Sequence, residues 1–151
     1  MLFLHHIVFT IMGRILAIDY GRKRTGLAVT DTLQIIASKL ETVPSHEIFG
    51  FLKNYIQKEP VERIIVGYPL QMNNEASEAV LYINPFLKRL VKEFPDIPIE
   101  QVDERFTSKM AFQTMIDAGL KKKDRQNKAT VDAVSATIML QAYLEQIKYK
   151  R

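Results

Sequence analysis

The 151-residue chain contains no cysteine. That removes disulfide frameworks, thiolate zinc sites and cysteine nucleophiles, and it fits a reducing compartment. Long hydrophobic runs are missing too. The most apolar stretch, MLFLHHIVFTI, ends at residue 11. It is too short for a membrane helix and lacks the basic start and small-residue cleavage site of a signal peptide. Residues 1–11 are read as an N-terminal extension or edge segment, residues 12–151 as a single domain, and the expected location is cytoplasmic, with no membrane partner. No internal repeat, low-complexity tract or linker divides the chain. His5, His6 and His46 have no metal-ligand spacing, and neither a G-x-S-x-G elbow nor a G-x-x-x-x-G-K-[ST] phosphate loop is present.

What is present is globular composition, 47% hydrophobic and 25% charged. A chain of this length buries roughly 68–70% of the surface its unfolded form exposes, enough for one ordinary core. The formal net charge is +4 and the isoelectric point about 9.3. A mild basic excess suits a polyanionic partner only where the cations cluster, so their distribution decides.

Strand signals come first. RILAIDYG and RTGLAVTD are short apolar runs joined by a brief basic turn, and IIASKLETV makes a third, closed by Pro44. Such short connections predict an antiparallel meander. From Ser45, read as an N-cap, the period becomes helical, with Ile48, Phe51, Leu52, Tyr55 and Ile56 on one face. ERIIVGYPL is a buried strand ending in a Gly-x-Pro turn. SEAVLYINPFLKRLVKEF reads as a helix that Pro85 should kink or interrupt. IPIEQVDERFT is a further strand. Thr107 or Ser108 caps a helix that stops at Gly119, and a basic loop precedes a last helix from about Val131 to Tyr149. The order βββαβαβαα predicts a mixed α/β domain with part of its sheet parallel and covered by helices.

Asp19 stands where a buried apolar strand residue is expected. An ionised carboxylate buried without a partner costs several kcal/mol, so it is either bonded to the turn at Gly21 or engaged with a cation. Asp103 and Glu104 end another strand, and adjacent strand residues point to opposite faces, so only one of them can share a site with Asp19. Asp132 follows Thr130, read as an N-cap. In the first turn an acid gains roughly 0.3–1 kcal/mol from the helix dipole, which alone would account for it. Taken together, three such carboxylates suit Mg²⁺ or Mn²⁺, which prefer oxygen ligands. Paired metals about 3.5–4 Å apart support phosphodiester hydrolysis. Arg22, Lys23 and Arg24 follow Asp19, while Lys121, Lys122, Lys123, Arg125 and Lys128 precede Asp132. These are solvated turns one by one, and a phosphate-contacting track as clusters. Tyr20 and Tyr68, near strand ends, are either stacking residues or core.

AIDYGRKRTGLAVTD, VGYPL, VDERFTS and DAVSATIMLQAYL, in that order, resemble the YqgF (RuvX) family of Holliday-junction resolvase-like proteins, also described as nucleases that process the 5′ end of pre-16S ribosomal RNA. The resemblance implies a ribonuclease H-like fold, a five-stranded mixed sheet in the order 3-2-1-4-5 flanked by helices. It implies Asp19, Glu104 and Asp132 as catalytic, metal-holding acids with Mg²⁺ or Mn²⁺, and Arg105 as a phosphate contact. Substrate-binding roles fall to Arg22, Lys23, Arg24, Lys121, Lys122 and Lys123. The sequence departs from the family pattern in QMNNEASEA, where a glycine is expected, and at Pro85.

The leading expectation is a metal-dependent endonuclease acting on pre-ribosomal RNA or branched DNA, with ribosomal particles as further partners and a monomer or homodimer as the working form. A junction resolvase would need a two-fold dimer to cut two strands symmetrically. A non-catalytic nucleic-acid-binding assembly factor is the competing class. DYGRKRTG also resembles the phosphate turn of actin-like ATPases and sugar kinases, but those need two such domains and this chain has room for one.

Overall fold

The computed structural model describes residues 13–69, 78–103 and 128–149. Outside them lie the segment 1–11, the start of the loop after VGYPL, Glu104, Arg105, the helix expected between Thr107 and Gly119, and the basic positions Lys121, Lys122, Lys123 and Arg125. The described elements are β1 (Arg14–Tyr20), β2 (Arg24–Thr30), β3 (Ala37–Pro44), α1 (Ile48–Lys58), β4 (Val61–Tyr68), α2 (Glu78–Glu93), β5 (Ile99–Asp103) and α3 (Lys128–Tyr149).

The strands form one five-stranded sheet in the order β3-β2-β1-β4-β5. The first three pair antiparallel, as their short connections require. β4 joins β1 in parallel and β5 joins β4 in parallel. Mixed pairing and strand order both match the sequence expectation.

β1 and β4 read as unbroken apolar runs because both faces of each are covered. On one face Leu16, Ile18, Leu27, Ile64 and Val66 meet Ile48, Phe49 and Leu52 of α1 and Ile83, Phe86, Leu87 and Leu90 of α2. On the other, Ile15, Ala17, Ala28 and Ile65 meet Ala136, Met139, Leu140, Tyr143 and Leu144 of α3. Alternate residues of β1 therefore serve different layers, and the parity of a position states which helix it faces. Among the described residues no helix is long and apolar enough to cross a membrane.

Four expectations need correction. Ser45 is no N-cap: it opens a 3₁₀ turn over Ser45–Glu47 without a side-chain capping bond, because its hydroxyl is engaged elsewhere. β3 starts at Ala37, not at Ile35. The carboxylate of Asp31 accepts hydrogen bonds from the backbone N–H groups of Leu33, Ile35 and Ile36, which holds that pair in a loop. Pro85 does not interrupt α2, which runs continuously over Glu78–Glu93. Pro85 is on the exposed side, and the carbonyl deprived of its partner belongs to Leu81, itself 76% exposed, so water can satisfy it. Finally, α3 is already helical at its first described residue, Lys128, which places Thr130 inside the helix and not at its N-cap. Asp132 stands four residues further in than that first described position, beyond a first turn, so capping and first-turn dipole effects do not explain it.

Candidate active site

β1, β4 and β5 all end at the same edge of the sheet, the edge where ligands gather in open α/β folds. There the chain turns from β1 into β2 through Gly21, Arg22 and Lys23. The turn is tight, with the Gly21 N–H donating to the Arg24 carbonyl at 3.0 Å. A Cβ on Gly21 would lie 2.5 Å from that same oxygen, so only glycine fits. Ser45 fastens the turn from behind. Its hydroxyl donates to the Gly21 carbonyl at 2.5 Å and accepts from the Thr25 hydroxyl at 2.9 Å, and its N–H donates to the Lys23 carbonyl at 2.9 Å. Thr25 and Ser45 are 0% and 5% exposed. Three neighbouring cations are thereby presented from a rigid base rather than a loose loop.

Asp19 pairs directly with Gly26 across the β1–β2 ladder. By parity it shares the α3 face with Ile15 and Ala17. A Cβ at position 26 would fall 2.2 Å from the Asp132 carbonyl oxygen and 2.4 Å from its carbonyl carbon. The missing side chain is what lets the start of α3 press onto β2. Directly paired antiparallel residues have Cα atoms about 4.5–5.5 Å apart, so Asp19 and Asp132 occupy adjoining positions around Gly26. Two of the three sequence-selected acids thus stand at neighbouring backbone positions.

The third, Glu104, lies outside the described residues. Asp103 pairs with Tyr68, whose side packs against the α1–α2 layer. It stands on the face opposite Asp19 and does not share a site with it.

The Arg24 guanidinium lies 3.4 Å from the Asp132 carboxylate. With both side chains about one-third exposed, such a pair contributes at most about 1 kcal/mol. It nonetheless marks the Asp132 carboxylate as a cation-accepting position. The Gly21–Arg24 turn, Asp132, and Glu78 and Tyr82 of α2 line a cleft of about 340 Å³. Arg22 lies over the Tyr82 ring, 5.2 Å from its centroid.

The two tyrosines left open by the sequence are packed. Tyr20 stacks on Phe86 at 4.0 Å with a 6° interplanar angle, and burial, reinforced by neighbouring Tyr82, raises the pKa of its phenol. The Tyr68 hydroxyl donates to Asn84 at 3.0 Å. Sequence reasoning missed Tyr82, Ser45 and Gly26 as site residues. Only Gly26 carried a signal, since an isolated glycine inside a strand often marks close backbone approach.

A model of the RuvX family, described as Holliday junction resolvase, matches residues 13–146. The chain belongs to the RuvX family. Its relatives in that family include proteins named "Putative pre-16S rRNA nuclease". The one from Bacteroides thetaiotaomicron is 64% identical over 138 residues, 91% of this chain and 100% of that protein. The one from Phocaeicola vulgatus is 66% identical over 138 residues, 91% of this chain and 99% of that protein. Among solved structures, Thermus thermophilus RuvC in complex with Holliday junction substrate aligns with a TM-score of 0.55 at 16% identity, covering 89% of this chain and 96% of that one. A second Thermus thermophilus RuvC structure gives 0.51 at 18% identity, with the same coverage. At that identity the likeness is one of fold, and with the 3-2-1-4-5 sheet it makes this RuvX protein ribonuclease H-like.

Proposed function

We propose that this protein is a divalent-metal-dependent endonuclease of the cytoplasm, cutting phosphodiester bonds near the 5′ end of pre-16S ribosomal RNA, with residues 12–151 as its nuclease domain. The observation that carries the reading is the seating of Asp132 against Gly26, beside Asp19, at the rim of a cleft edged by Arg22, Lys23 and Arg24. The names of the relatives favour the RNA substrate. The family description favours four-way DNA junctions as the second reading, and that activity would require a symmetric dimer.

The donor set fits the implied metal. Asp19 and Asp132 supply hard carboxylate oxygens of the kind Mg²⁺ or Mn²⁺ takes, and Arg24 already offsets charge on one of them. Among the described residues no group of three possible ligands is assembled. Exclusion of Asp103 by the parity of β5 supports Glu104 as the third ligand. When bound, the metal supplies Lewis-acid activation of water and stabilisation of the leaving oxygen. The chain itself contributes placement. Arg22, Lys23 and Arg24 hold phosphates at the turn, and Arg105, Lys121, Lys122 and Lys123 extend that role along the polynucleotide. Such contacts fix the register of the backbone without reading its sequence.

The test is Mn²⁺-dependent cleavage of pre-ribosomal RNA, single-stranded RNA and four-way DNA junctions by the wild type, Asp19→Asn and Glu104→Gln. The proposal expects RNA cleavage that both substitutions abolish. A folded Asp19→Asn protein that cleaves at the wild-type rate would remove Asp19 from the metal-holding set, and a wild type that cleaves none of the three substrates would assign the molecule to the non-catalytic class.

A further inference from the structure

We propose that Tyr82, with Arg22 over its ring, is a stacking subsite for one unpaired base of the polynucleotide next to the bond that is cut. The inference rests on the proposed nuclease reading for its substrate class, and on the cleft itself for its geometry.

Tyr82 differs from the other tyrosines of this region. Tyr20 is spent on Phe86, whereas Tyr82 lines the cleft. Its ring is held by Tyr20, at 6.1 Å and 51°. Phe86 behind Tyr20 packs in turn on Phe49 at 5.5 Å. This aromatic chain runs into the core and fixes the orientation of the platform. On the cleft side sits Arg22, an exposed side chain on the turn, at 5.2 Å. A guanidinium resting on a ring occupies the place a nucleobase takes in single-strand recognition, where bases stack on aromatic side chains and arginine planes. Arg22 is free to turn from the ring toward a phosphate, exchanging one favourable contact for another. The cleft volume of about 340 Å³ lies at the low end of small-ligand pockets, about 300–1,000 Å³, and suits one nucleotide rather than a duplex.

Selection follows from this geometry. A paired base keeps its faces stacked within the helix and cannot reach Tyr82, so the subsite directs the enzyme to single-stranded or frayed positions.

The experiment uses the full chain in EDTA, where no cleavage occurs. The probes are single-stranded RNA and DNA oligonucleotides of one sequence carrying 2-aminopurine, together with their duplexes. Wild type and Tyr82→Phe should quench the fluorophore on binding the single strands. Tyr82→Leu should abolish the quench and weaken single-strand binding about five- to 150-fold, with duplex affinity changed less than about two-fold. Arg22→Ala, at an exposed position, should keep the quench while lowering affinity and reducing the salt slope by about one. Photocrosslinking of 5-bromouracil strands to the wild type, mapped by mass spectrometry, should mark Tyr82 and needs no variant. Equal quenching by RNA and DNA is expected, because the platform reads only the base. Binding without quenching, or crosslinks only elsewhere, overturns the subsite and leaves the nuclease reading standing. Failure of the wild type to bind any polynucleotide overturns both.

Discussion

Gly26→Ala tests the contact on which the site depends. The added methyl would lie 2.2 Å from the Asp132 carbonyl oxygen, 2.4 Å from its carbonyl carbon and 2.9 Å from the Ala133 nitrogen. All three are backbone atoms of α3, so no side-chain rotation relieves the clash. Carbon contacts settle near 3.5–4.0 Å, so the helix must retreat by about 1 Å. Forcing a methylene into a packed core costs about 1–3 kcal/mol. For a domain of this size each kcal/mol moves the melting temperature by about 2–4 °C, giving an expected drop of about 2–12 °C. Local propensity has the opposite sign, because alanine is favoured over glycine within a strand by about 0.5–1 kcal/mol. The direction of the change therefore identifies the cause. Since the retreat is centred on Asp132, and a 1 Å misplacement near the chemistry can cost about 100-fold, cleavage should fall by about that factor. Scanning calorimetry and single-turnover cleavage at saturating Mn²⁺, below both melting points, supply the two readings. An unchanged or raised melting temperature would refute the seating of α3 on β2. A lowered melting temperature with undiminished cleavage would refute a role for Asp132.

Ser45→Ala removes the hydroxyl that joins the part-buried Gly21 carbonyl to the buried Thr25 hydroxyl, depriving both of that partner. Stability should drop by about 1–3 kcal/mol, and affinity for nucleic acid should fall with it; an unaltered melting curve would contradict this. Ser135, 2% exposed, has a hydroxyl without a hydrogen-bond partner among the described residues. Ser135→Ala should leave stability equal or raise it by up to about 1 kcal/mol, and clear destabilisation in urea would disprove the reasoning. Hydrogen bonds from the backbone N–H of Ile36, and also of Ile35 and Leu33, hold the Asp31 carboxyl below its ordinary pKa. Its stabilising effect is complete above the unfolded carboxylate pKa of about 3.9 and fades as pH falls through the lower folded value. Asp31→Asn should therefore melt below the wild type at pH 7, with the gap closing at the acid end. A gap independent of pH would rule out the carboxylate as its source.

Much of the fold was legible because β1, β2 and β4 are buried strands whose apolar runs have few other uses. The sheet order came with the motif resemblance and agrees with the observed pairing. Errors arose where a side chain bonded to backbone outside its own element. Ser45 has the composition of a helix cap, but its hydroxyl serves a turn 24 residues away. Ile35 and Ile36 look like strand, yet the Asp31 carboxylate stops pairing there. Asp19 was visible as a charge within an apolar run, and the Arg22–Arg24 cluster as a local excess of cations. The approach of Asp132 to Gly26 was hidden, because it depends on how closely a helix settles on the sheet. Tyr82 was hidden for another reason: in a helical stripe an aromatic residue at the rim reads the same as one in the core.

Arg24 and Asp132 are 108 residues apart in the chain, and the helix bearing the acid is late in the order of synthesis. The cationic turn lies between β1 and β2, whereas the acid opposite it comes from α3, so a molecule in which α3 is undocked keeps the turn without its acid. Under the proposed reading such a molecule can grip RNA but not cut it. Docking of that helix on the sheet then acts as a safety catch, arming the site only when both layers are in place.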